Sequence, residues 1–117
     1  MDNLLDKEAV KRVQKSLGSF DPSLKAQVLE QSARTAKDAA TALRCEVGAI
    51  VKSLLLKVED EFILCLVSGD KKCSLNKVKK LTGKKDVCMA NAEDVKKKTG
   101  FTIGGVSPIG LTNNLEI

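Results

Sequence analysis

Apolar residues open the chain at Leu4, Leu5, Ala9, Val10, Val13 and Leu17. These three- and four-residue steps are those of one helix face, and Gly18 stands where such a helix would stop. After Asp21-Pro22, residues 25–30 alternate weakly and predict a short strand. Thr35 then precedes the alanine-rich residues 36–43, with Asp38 three positions on. A hydroxyl and a carboxylate at that spacing form a capping box and start a second helix. Residues 53–58 and 62–67 are apolar runs separated by Glu59-Asp60-Glu61. They predict two antiparallel strands joined by a short acidic turn at the centre of a sheet. Leu75, Val78 and Leu81 keep helical spacing up to Gly83, Val87-Cys88-Met89 is strand-like, and Asn91 with Asp94 repeats the capping pattern for a helix that Gly100 closes. Alternating helix and strand signals predict an α+β, α/β-like fold, with a mixed sheet whose central strands are antiparallel and whose flanks are helical. At 117 residues the chain is expected to be a single domain over residues 1–117.

Composition narrows the chemistry. The chain has three Phe and neither Trp nor Tyr, so platforms for stacking bases are scarce. It has no histidine, which excludes Ser-His-Asp and Cys-His catalysis of the usual kind. Cys45, Cys65, Cys73 and Cys88 contain no C-x-x-C pair, so a zinc site is disfavoured and no metal or other cofactor is expected. Cys65 and Cys88 lie inside apolar runs and read as small buried hydrophobes of a reducing compartment. No run is long enough to span a bilayer, and the acidic start does not resemble a cleavable signal, which predicts a soluble cytoplasmic protein with no membrane partner. Any catalysis would rest on lysine, carboxylates, backbone dipoles or the substrate itself.

Charge is unevenly placed. The net charge is +5, yet ten lysines fall between Lys71 and Lys98 against Asp86, Glu93 and Asp94 alone, so the remainder of the chain is slightly acidic. That asymmetry fits an anionic partner. It also fits a solvated surface, because Glu93 with Lys97 and Asp94 with Lys98 are i,i+4 pairs that stabilise a helix by themselves.

The segment Thr99-Gly100-Phe101-Thr102-Ile103-Gly104-Gly105-Val106-Ser107-Pro108-Ile109-Gly110 concentrates four glycines and a proline in twelve positions. Glycine lets backbone N–H groups approach a ligand closely, and Pro108 restricts both itself and Ser107. The spacing is not G-x-G-x-x-G, and no Gly-Lys-Ser/Thr follows, so a nucleotide cradle fits poorly. The loop is either a binding site working through its backbone or an ordinary turn between strands.

Taken together, Ala49-Ile50-Val51-Lys52-Ser53-Leu54-Leu55-Leu56 and the glycine–proline segment resemble the YbaK/EbsC family, the aminoacyl-tRNA editing domains also associated with prolyl-tRNA synthetase. The likeness runs from about Ser32 to Gly110. It implies a trans-editing aminoacyl-tRNA deacylase that hydrolyses a wrongly attached small amino acid from the 3′ end of a tRNA, without metal. By the same likeness, Lys52, Gly104 and Gly105 are the catalytic candidates, with Lys52 holding the terminal phosphate or ribose rather than attacking. Thr35, Val106, Ser107 and Pro108 are the substrate-binding candidates, and the charge of the basic segment makes Lys71, Lys72, Lys84 and Lys85 the tRNA-contacting ones. The implied partners are the acceptor end of aminoacyl-tRNA and prolyl-tRNA synthetase. On residue chemistry alone, Lys52 reads as a solvent-facing strand end and Ser107 as a turn residue bonding nearby backbone. The sequence stops at Leu115-Glu116-Ile117, where the family continues through a further strand, so a C-terminally shortened domain is expected, with an exposed sheet edge open to homodimerisation. The alternative functional reading is a non-catalytic module, or inactive fragment, that binds aminoacyl-tRNA or a synthetase.

Overall fold

The computed structural model describes residues 7–29 and 35–117. Helix α1 spans Glu8–Phe20. It runs through Gly18 rather than ending there, and stops at Asp21, whose backbone is extended ahead of Pro22. Proline excludes the helical conformation from the residue before it, which outweighs the modest cost of a mid-helix glycine. Leu4 and Leu5, placed by the sequence on this helix, lie outside the described residues. The strand expected at residues 25–30 is not formed over residues 25–29, and Glu30 lies outside the described residues. Its backbone is occupied by Gln14, whose side chain accepts from Ala26 N at 2.7 Å and donates to Leu24 O at 3.2 Å.

Helix α2, Ala36–Leu43, starts as its capping residues dictate: Thr35 Oγ1 accepts from Asp38 N at 3.0 Å. A short 3₁₀ turn at Val47–Ala49 then leads into β1, Val51–Val58. Strand β2, Glu61–Ser68, pairs with it antiparallel along its whole length, from Val58↔Glu61 to Val51↔Ser68. The hairpin turn is thus Glu59-Asp60, with Glu59 at a φ of 55°. Helix α3, Leu75–Thr82, is capped by Ser74 and closed by Gly83 in the left-handed region. Strand β3, Val87–Met89, pairs antiparallel with β1 at Leu56, Lys57 and Val58. Helix α4, Ala92–Thr99, is capped by Asn91, whose side chain accepts from Asp94 N at 2.8 Å, and ends at Gly100.

The sheet order is β2-β1-β3, so β1 alone is central and β2 is an edge. All three strands are antiparallel, and a parallel component comes from one bridge, Ile63↔Glu116, in which Leu64 N donates to Glu116 O at 2.8 Å. Successive side chains of a strand take opposite faces. Leu55 and Leu64 therefore share one face, packed with Ala90 and Val95 of the α4 side and with Val106, Leu111 and Leu115. Leu56 and Val58 share the other with Val87 and Val78 of α3. Leu56 and Leu64 are almost fully enclosed, and burying a leucine contributes about 1.5–3 kcal/mol.

The cysteines depart from expectation. Cys88 is exposed, because it sits opposite exposed Lys57, where the α4 side covers Leu55 but not the next position on that face. Cys65 is half-buried beside Cys73, with the two sulfurs 3.9 Å apart. Burial first, then the hydrogen bond and charge of Cys73, pushes the Cys65 thiol above its ordinary pKa.

Candidate functional site

A cleft of about 590 Å³ opens where β3 ends. Its wall takes in Val51, Lys52, Ser53, Leu54 and Leu55 in succession, which a strand can offer only along an edge. The reason is the register: β3 pairs with β1 at Leu56, Lys57 and Val58, and Ala90 N extends the pairing to Leu55 O at 3.0 Å. Earlier residues of β1 have no strand beside them on that edge among the described residues. The opposite wall is Ile103, Gly104, Gly105 and Val106, and the end is closed by Thr35, Ala36, Lys37 and Ala39 of the α2 start.

The glycine loop is built for close approach at its centre and for packing at its ends. Gly105 N donates to Thr102 O at 2.8 Å, closing a turn whose third residue, Gly104, has φ 85°. That φ favours glycine. A Cβ on Gly105 would meet Thr102 O at 3.6 Å, an ordinary contact. The outer glycines differ: a Cβ on Gly100 would strike Thr112 Cγ2 at 2.5 Å, and one on Gly110 would meet Arg12 backbone atoms at 3.0 Å. Arg12 of α1 fastens this region, donating to Gly110 O at 3.0 Å and Gly100 O at 2.9 Å while its guanidinium lies 4.8 Å from the Phe101 ring centroid and pairs with Glu8. Buried Thr99 adds an anchor, accepting from Phe101 N at 3.0 Å.

Of the residues singled out by sequence, Thr35, Lys52, Gly104, Gly105 and Val106 border this one cleft, although Lys52 and the loop are separated by fifty residues and more. Ser107 and Pro108 do not line it. Ser107 Oγ instead accepts from Ile109 N at 3.2 Å, the local turn bond that residue chemistry allowed. The Thr35 hydroxyl is engaged as the α2 cap. Lys52 Nζ donates to Lys71 O at 2.7 Å. An ammonium has three donors, so two stay available. Alternation along β1 gives Ser53 the face of Leu55 and Lys52 the face of Leu56, so Lys52 borders the cleft from its rim and Ser53 from its floor.

The four tRNA-contacting candidates fall into two groups. Lys71 and Lys72 follow β2 at the open end of the hairpin, beside Lys52. Lys84 and Lys85 lie at the other end of β1, where Lys84 Nζ is 3.8 Å from Glu59 and Lys85 borders a hollow with Asp60 and Asp86. Six strand residues separate the ends, roughly 20 Å at 3.3 Å per residue. Sequence reading missed Lys37, which the α2 cap carries onto the cleft rim, and Ser53. The apolar run Leu54-Leu55-Leu56 hides the alternation that would have assigned Ser53 a face. Among the described residues no three His, Cys, Asp or Glu side chains gather as metal ligands, and no helix is long and apolar enough to cross a membrane.

The sequence profile of the aminoacyl-tRNA editing domain matches residues 30–117. A proline--tRNA ligase of Caldicellulosiruptor bescii is 35% identical over 92 residues, covering 79% of this chain and 16% of the ligase. One from Bacillus velezensis is 37% identical over 84 residues, covering 72% of this chain and 15% of the ligase. This chain therefore spans about a sixth of the length of these relatives. Among solved structures, a proposed trans-editing enzyme for prolyl-tRNA synthetase superposes with a TM-score of 0.85 at 42% identity, over 93% of this chain and 69% of that one. The α+β fold, a three-stranded antiparallel sheet with β1 central and helices packed on it, is that of the editing domains, and the chain belongs to the aminoacyl-tRNA editing domain family.

Proposed function

We propose that this protein is a deacylase acting in trans: it hydrolyses the ester between a wrongly attached small amino acid and the 3′ end of a tRNA, in the cytoplasm. The observation that carries the reading is the single cleft bordered by Lys52 on one side and Gly104-Gly105 on the other. Its volume is in the range of small-ligand sites, and Leu55, Ala90, Val95 and Val106 give it an apolar wall suited to a short aliphatic side chain. Lys52, with its spare donors, orients the terminal ribose or phosphate. The Gly104 region faces the ester carbonyl with main-chain N–H groups. Gly105 N–H is already spent on Thr102 O, so its part is to leave space. Water attacks the carbonyl carbon, the bond to the ribose oxygen breaks, and that oxygen takes the proton; the products are the free amino acid and uncharged tRNA. An activated ester needs orientation and stabilisation of a developing oxyanion more than a strong nucleophile.

Lys71 and Lys72 stand where the single-stranded end would enter. Lys84 and Lys85, at the far end of β1, are within reach of the duplex stem alone. The test is deacylation of a panel of mischarged tRNAs with and without a chelator. Release of one small amino acid, unchanged by chelation, is the expected result; no release from any member of the panel contradicts it, and loss on chelation contradicts the metal-free mechanism.

A further inference from the structure

The cleft holds one polar group that this mechanism does not use. Ser53 Oγ is buried and has no hydrogen-bond partner among the described residues. Such a hydroxyl costs stability unless something satisfies it, and its surroundings on that face, Leu55, Ala90, Val95 and Val106, are apolar. The main chain of Ser53 is placed alike. Leu55 turns its carbonyl to the β3 edge and accepts there from Ala90 N at 3.0 Å. Ser53 precedes it by two residues, so its main-chain groups face the same edge where β3 has ended. Hydroxyl and carbonyl oxygen of one residue, the first off the sheet face and the second at its open edge, thus both border the cleft as acceptors.

An aminoacyl ester has three recognisable parts, and the cleft has a counterpart for each. The carbonyl oxygen needs donors, found in the main chain around Gly104. The short side chain needs an apolar wall. The α-amino group needs acceptors, and Ser53 supplies them. Resting on the deacylase reading, we propose that Ser53 is the specificity-determining residue that reads the free α-amino group of the substrate, so that N-acylated esters, such as peptidyl-tRNA, are refused.

The test compares Ser53→Ala and Ser53→Thr with the wild type. Two hydrolysis-proof probes are titrated by calorimetry: adenosine carrying alanine through a 3′-amide, and its N-acetyl counterpart. The wild type is expected to prefer the free amine. Ser53→Ala should lower that preference about tenfold to a hundredfold, and Ser53→Thr, which keeps the hydroxyl, should restore most of it. The melting temperature of Ser53→Ala without ligand should stay level or rise, since an unsatisfied hydroxyl is removed. A preference unchanged in Ser53→Ala, an equal loss for both probes, or a lower melting temperature overturns the inference by making the hydroxyl structural. Probe binding by the wild type without turnover of any mischarged tRNA removes the deacylase reading and leaves the role of Ser53 to be decided by the variants. No binding of either probe removes both.

Discussion

Strand β1 has two halves built to opposite ends. From Leu56 to Val58 it is paired on both edges and covered on the α3 face: Leu56 and Val58 are buried against Val87 and Val78. From Val51 to Leu54 it is paired with β2 alone, Val51 is exposed, and the free edge is the wall of the cleft. The sequences of the two halves barely differ in hydrophobicity. The difference lies in β3, which is three residues long, and in the glycine loop that stands off from the strand where β3 would have continued. Stability is concentrated where the ladder is complete, and the groups available to a ligand lie where it stops.

Substitutions in the two halves should separate activity from stability. Lys52→Ala should lower deacylation by about 10²–10³-fold, the scale of losing one preorganised donor. Its unfolding free energy should move by less than about 1 kcal/mol, as for a solvated lysine. Leu56→Ala should do the reverse, costing about 2–5 kcal/mol in chemical denaturation. If both variants lose stability alike, the division of β1 is wrong.

Gly105→Ala sharpens the contrast from the other wall. Its backbone is not in the left-handed region and a Cβ finds ordinary contact, so the melting temperature should hold or rise slightly. The added methyl occupies cleft space, and KM for the mischarged tRNA should rise several-fold. Parallel loss of folding and activity would make the loop a turn and nothing more.

Salt dependence tests the two lysine groups. Each phosphate contact to single-stranded nucleic acid contributes about 0.7 to the slope of log affinity against log salt, and to duplex about 0.9. Lys71→Ala and Lys72→Ala should each flatten the slope for a short single-stranded acceptor end, whereas Lys84→Ala and Lys85→Ala should act on full tRNA alone. A flat slope throughout would take the lysines out of substrate binding. The smallest effect is alkaline: the raised Cys65 pKa means that the folded state resists thiol ionisation, so stability should be steady below the ordinary thiol pKa and decline slightly as pH rises through it towards the folded value. Cys65→Ala should remove that decline in a pH series of denaturation curves.

The elements legible in the sequence are those fixed within one turn of chain. Thr35 and Asn91 each cap the helix that follows, and Gly83 and Gly100 each end one in the left-handed region. The hairpin was legible because two apolar runs flank an acidic turn. What could not be read depends on distant partners. Gln14 takes the backbone bonds that residues 24–26 would need for a strand, and Arg12 reaches Gly110 across 98 positions. Cys88 sits in an apolar run yet faces outward, because β3 is short and its neighbour on that face is Lys57. The glycine loop was visible as unusual, but its division into packing glycines at 100 and 110 and cleft glycines at 104 and 105 depends on Arg12 and Thr112.

The most direct measurement is a backbone-amide NMR titration of the full chain with the 3′-amide-linked alanyl-adenosine. Saturable shifts at residues 51–55 and 103–106, with Leu56, Lys57 and Val58 nearly unmoved, are what the open-edge account predicts. Shifts centred instead on residues 56–59 and 84–88, or no saturable shift anywhere, would contradict it.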